Sequence, residues 1–169
     1  RLPRAPVRTG DSLRGEEDAM DRIQVLEDKL AIRELLSRYA QMVDFREWER
    51  MDDVFAPGAT IDYRSTGGQA GPYRETLEWL DRALEPWPLN LHFITNVAIE
   101  LDGDRATSRC YFHAPMGRAE ADGSQLVITN AGSYDDDLVR TDAGWRIAKR
   151  HCEQTIMIGQ LPEGYDIPG

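Results

Sequence analysis

The sequence predicts an α+β fold, in which a curved, mixed or antiparallel sheet wraps around N-terminal helices as an open cone. Three observations predict it. Apolar residues recur at steps of three and four up to Leu84, and at every second position from Leu89 onward. Helices therefore come first and strands after, which separates this chain from alternating βα units. The 169 residues, 41 % apolar and 30 % charged, suit one domain that can bury its own core.

The elements follow in order. Residues 1–19 carry four Arg and four acids without an apolar stretch, and read as a flexible leader rather than a secretory signal. The domain is expected over 20–160, with a short tail over 161–169. From Asp21 to Val43, Ile23, Leu26, Leu30, Leu35, Tyr39 and Met42 give one amphipathic helix. A second helix is expected over "REWERMDDVFAPG", with Trp48, Met51 and Phe55 on one face and Pro57-Gly58 as its stop. "ATIDYRS" alternates as a strand, with Ile61 and Tyr63 on one side. "TGGQAGP" is a loop, a candidate lid over a pocket. "YRETLEWLDRAL" is a third helix, stopped by "PWP", where Trp87 is expected to border the pocket entrance. "LNLHFITNVAIEL" and "RATSRCYFHAPMG" alternate as a hairpin, and "SQLVITNAGSYDDDLVR" and "WRIAKRHCEQTI" as a second pair.

Composition excludes several functions. A net charge of −10 argues against nucleic acid and against an anionic membrane surface, since both need clustered Lys and Arg. No apolar run approaches the ~20 residues of a membrane span. Cys110 and Cys152 occur without a CxxC or Cys/His cluster, and two free thiols fit a cytoplasmic protein. No HExxH or close ligand pair marks a metal site. "YDDDL" alternates on a strand, with Asp135 and Asp137 solvated, unlike the oxygen-rich loop that calcium needs.

The "DGD" turn sets a register. With Asp102-Gly103 at the tip of a two-residue loop, Leu101 pairs with Asp104 and His92 lies opposite His113. His92, Asn96, Arg109, Tyr111 and His113 then share one face, and Leu91, Phe93, Val97, Ile99, Cys110 and Phe112 the other. A three-residue loop or a bulge would put the two histidines on opposite faces. A lone His on a strand is commonly structural or solvated, but two with Asn and Tyr on one face form a candidate site. Asp44 poses a separate question. A carboxylate at a helix C-terminus opposes the dipole by ~0.3–1 kcal/mol and calls for a partner. Tyr39 lies five residues earlier and points ~140° away from it, so the two can share a pocket only where the helix ends near Asp44.

"YAQMVDFREWERMDDVFAPGATIDY", "LHFITNVAIELDGDRATSRCYF" and "YDDDLVRTDAGWRIAKR" resemble the SnoaL-like branch of the NTF2-like superfamily, over roughly Asp21 to Gln154. "EWERMDDVFAPGATIDYRS" is especially similar to scytalone dehydratase. The Tyr-x4-Asp spacing and the His of "LHF" are similar to bile acid 7α-dehydratase. The resemblance implies a cone with a mainly apolar pocket, working without cofactor or metal. It implies an Asp–His catalytic pair at Asp44 and His92, a substrate-side tyrosine at Tyr39 and a pocket tyrosine at Tyr63. Val43 stands where scytalone dehydratase has a second catalytic tyrosine, and its later Ser and Asn are replaced around Gly132 and Tyr134, so its substrate is not carried over. The resemblance also implies homodimers or homotrimers formed through the outer sheet face.

These residues fit one chemistry. Asp44 orients His92, which serves as general acid and base without a nucleophile. Tyr39, Tyr63 or Tyr134 donates to an enolate. The expected function is a cofactor-independent lyase, a dehydratase acting on a hydrophobic carbonyl compound such as a steroid or polyketide. His113, Tyr134, Asn96 and Tyr111 join Tyr63 as substrate-binding candidates, and His151 is a further pocket candidate. Isomerisation or polyketide cyclisation needs the same groups, and a binding or assembly module uses the same scaffold.

Overall fold

The computed structural model describes residues 9–162, with side chains from Met20 onward. Residues 1–8 and 163–169, which hold the start of the expected leader and most of the expected tail, lie outside the described residues. Helix α1 runs Thr9–Asp44. A 3-10 turn spans Trp48–Asp53 and leads into β1 (Phe55–Asp62). After a short turn come β2 (Ala70–Pro72) and α2 (Tyr73–Leu84). The remainder is β3 (Leu89–Asn90), β4 (Phe93–Asp102), β5 (Arg105–Ala119), β6 (Gln125–Thr141) and β7 (Gly144–Ile158).

The strands form one curved, unclosed seven-stranded sheet in the order β2-β1-β7-β6-β5-β3, with β4 also on β5. All neighbours are antiparallel except β1 and β7, which run parallel. The concave face takes the buried side of α1, formed by Ile32, Leu35, Leu36, Tyr39, Met42 and Val43. This is the expected α+β cone.

Residues 9–19 of the expected leader open α1, and Ala70–Pro72 of the expected loop form β2. Three further elements depart from the sequence reading. The expected helix over "REWERMDDVFAPG" is only the 3-10 turn, and Pro57-Gly58 lies inside β1. Gly58 takes φ 77° where the β1–β7 register shifts, so the pair marks a bulge rather than a helix stop. The start of α1 outruns the sheet. Ile23, Leu26 and Leu30 are therefore exposed, and the packed face begins at Asp28. The β4–β5 loop is Gly103-Asp104, with Asp102 opposite Arg105 and φ 58° at Gly103, the II′ arrangement instead of I′.

Asp28 anchors that beginning. Its carboxylate accepts a two-pronged pair from Arg140, at 2.8 and 2.7 Å, and a 3.0 Å bond from Trp145 Nε1. The Arg140 bonds, helped by the Trp145 indole, lower its pKa from 3.8 to about 2. A depressed carboxylate pKa stabilises the fold above the unfolded value and loses that contribution as pH falls through the folded one. The shift corresponds to about 2 kcal/mol. Asp28→Asn should unfold at lower urea than the parent at pH 6, with the gap closing between pH about 4 and about 2. A gap unchanged over that range would contradict this assignment.

Candidate active site

Helix α1 ends at Asp44 in a Schellman motif. Glu47 N–H donates to Met42 O at 2.8 Å and Arg46 N–H to Val43 O at 3.2 Å. The left-handed position falls on Arg46, φ 58°, which is unusual for a residue with a side chain. Its guanidinium compensates by donating to Leu84 O (2.9 Å) and Trp87 O (3.2 Å), which ties the helix end to the segment leading into β3.

That tie places His92 beside Asp44. His92 N–H donates to Asp44 Oδ2 at 2.9 Å, and Nδ1 lies 2.6 Å from Oδ1. The side chains are 9 % and 11 % exposed. A carboxylate on Nδ1 holds the proton there and leaves Nε2 as the free nitrogen. His92 lines a cavity of about 120 Å³, and Asp44 stands behind it, off the wall.

The opposite wall is phenolic. The hydroxyls of Tyr39 and Tyr63 share a short hydrogen bond, so one proton remains for a third partner. Tyr134 stands edge-on to Tyr39 at 5.9 Å. Burial raises the pKa of all three phenols, keeping them neutral donors. Trp79, Trp87, Leu84, Phe112, Met116 and Ile128 supply apolar walls. Trp87 thus lines the cavity. In the "TGGQAG" segment a Cβ on Gly68 would lie 2.6 Å from the Trp79 ring, and Thr66 lines the cavity.

Three candidates lie elsewhere. Asn96, Tyr111 and His113 are exposed and do not line the cavity. The cause is a bulge at Asn96, which has φ 52°. Ile99 faces Ser108 on one side of it, but Ile94 faces Phe112 and Phe93 faces His113 on the other. The alternation flips, so His92 points inward while His113, Tyr111, Phe93 and Leu91 point outward. His151 is also outside the cavity, 3.6 Å from Asp62 and from Glu153. Among the described residues, no group of three or more His, Cys, Asp or Glu is placed to hold a metal ion.

Three features were not anticipated. Arg150 is fully buried between the rings of Tyr39 (4.1 Å) and Tyr134 (4.3 Å). Its Nε and Nη2 each donate to Asp136 at 2.8 Å, with both side chains at 0 % exposure. Alternation from Tyr134 implies an inward Asp136, which was the available signal. Asn130 and Gln154 also line the cavity, and so does Cys152, whose thiol burial pushes up to about 12.

Comparison with known proteins agrees with this fold. Residues 24–151 match the SnoaL-like domain. An uncharacterized protein of Mycobacterium tuberculosis, Rv2910c, is 39 % identical over 135 residues, 78 % of this chain and 90 % of its own. The Kfla4162 protein of Kribbella flavida is 27 % identical with a TM-score of 0.71, over 79 % of this chain and 95 % of that one. A type 2 hexachlorocyclohexane dehydrochlorinase, LinA, superposes with a TM-score of 0.69 at 20 % identity, covering 88 % and 99 %. The helix-filled cone, its concave-face pocket and the match over most of its length make this chain a member of the SnoaL-like family, with the NTF2-like fold.

Proposed function

We propose that the protein is a cofactor-independent lyase, a dehydratase acting on a hydrophobic β-hydroxy carbonyl compound. The carrying observation is Asp44, whose two oxygens engage both the backbone N–H and Nδ1 of His92. Nε2 removes the proton next to the carbonyl. The enolate oxygen accepts from the Tyr39–Tyr63 phenol pair. The imidazolium then returns that proton to the β-hydroxyl, the C–O bond breaks, and water and an α,β-unsaturated carbonyl leave. One group serves both steps, so the elimination is syn. LinA, a dehydrochlorinase on the same fold, supports elimination as a reaction this scaffold accommodates.

Turnover of 3-hydroxycyclohexanone to the enone, followed by its ultraviolet absorbance, tests this. His92→Ala should lower the rate about 10²–10⁴-fold. α-Proton exchange in D2O without water loss would move the assignment to isomerase or cyclase, which need only the base and the phenols. Neither reaction across a panel of β-hydroxy ketones would leave a binding module. The reading includes assembly of two or three copies through the outer sheet face, where Phe93, Tyr111 and Val127 are exposed.

A further inference from the structure

Asn130 Oδ1 is buried without a hydrogen-bond partner among the described residues. The amide lines the cavity through its other atoms, and a turn about χ2 brings Oδ1 to the cavity surface, where a donor from a ligand satisfies it. Strand register locates it. Phe93 faces His113 and Asn90 faces Met116, which sets His92 beside Ala114. Ala114 faces Asn130, and Asn130 faces Met157. His92, Ala114, Asn130 and Met157 therefore form one row across the sheet, and all four line the cavity. His92 and Asn130 are two strands apart, about 10 Å. Side chains rise from the concave face into the cavity, so their polar tips lie within about that distance of each other. The residue between them is only Ala114, which leaves a floor with open space above it.

The cavity of about 120 Å³ limits what fills that space. A cavity of roughly 150 Å³ takes one benzene molecule. One six-membered ring fits, and the fused rings of a steroid do not fit inside. Two hydrogen bonds of about 2.8 Å and one ring span the distance between the two polar ends.

We propose that Asn130 is a specificity-determining residue, which selects a single-ring substrate carrying a hydroxyl on the side away from the reacting carbonyl. That hydroxyl donates to Oδ1. The assignment of ends rests on the acid–base reading of His92, which places the carbonyl at the phenol side.

Binding of matched phenols to the full chain, as planar stand-ins for the enol, provides the test. Hydroquinone and p-cresol have nearly the same shape and differ by a hydroxyl for a methyl. Calorimetry under a reductant should show hydroquinone binding about threefold to tenfold tighter, the range of one neutral hydrogen bond. Asn130→Leu should remove the preference while retaining p-cresol, with Asn130→Ala as a second variant. 2-Naphthol should bind more weakly than p-cresol. Equal affinities, a preference that survives both variants, tighter naphthol, or no binding of either phenol would overturn the proposal. Absence of the preference in the parent protein, beside intact His92-dependent turnover, overturns Asn130 alone. An intact preference without turnover of any β-hydroxy ketone overturns the acid–base reading alone.

Discussion

Asp136→Ala should lower stability by about 3–5 kcal/mol, because it leaves the Arg150 charge buried without its partner. For a chain of this size that corresponds to roughly 6–20 °C in melting temperature. Arg150 has no route to solvent at 0 % exposure, and its Nη1 is already without a partner among the described residues. The two rings that sandwich it attract a cation but accept no strong hydrogen bonds. The effect reaches the proposed site as well, since Arg150 sits under Tyr39 and Tyr134. The double variant Asp136→Leu with Arg150→Met removes both charges and should recover much of the loss. A single variant within about 1 kcal/mol of the parent in urea titrations would sink this account.

Gly132→Ala should be as damaging for a different reason. An ideal Cβ there lies 1.8 Å from Glu153 O and 2.9 Å from Glu153 C. Both are main-chain atoms of β7, held in the ladder where the register shifts between Ala131 and Gly132. No rotamer change relieves that overlap, so β6 and β7 must separate. Overpacking of flexible side chains costs about 1–3 kcal/mol, and rigid backbone belongs at or above the top of that range. Gly71→Ala is the control, because nothing lies within 4 Å of its Cβ. Soluble yield and urea midpoint should fall for the first and hold for the second. Equal behaviour of the two would show that the strands have slack.

The fold was legible where one periodicity ran long. Tyr73–Leu84 and the β6–β7 pair emerge from spacing alone. Ala59–Asp62 is a strand as its alternation predicts, but Phe55–Gly58 reads as a helix end, because a Pro-Gly pair ends helices and also makes strand bulges, and local sequence does not separate the two. The His92–Asp44 contact was legible from the unpartnered carboxylate at a helix end and from the family resemblance. The rest of the predicted polar face was not. Turn length and a single bulge decide which way every later side chain points, and Asn96 carries no mark of its left-handed backbone. Arg150 was hidden by a shift in β7: Trp145 and Ile147 face inward, and so do Arg150 and Cys152. Strict alternation from Ile147 would have sent Arg150 to solvent.

The thiol of Cys152 bears on the survival of the protein in its own reaction. The proposed elimination releases an α,β-unsaturated carbonyl beside it, an electrophile that thiolates attack readily. At a pKa of about 12 the thiolate is on the order of 10⁻⁵ of the total at neutral pH. Cys110, pushed to about 11 by burial on the same face of the sheet, is nearly as inert. If the proposed elimination takes place here, the apolar wall of the cavity would also keep sulfur from capturing its product, so that turnover would not end in self-alkylation.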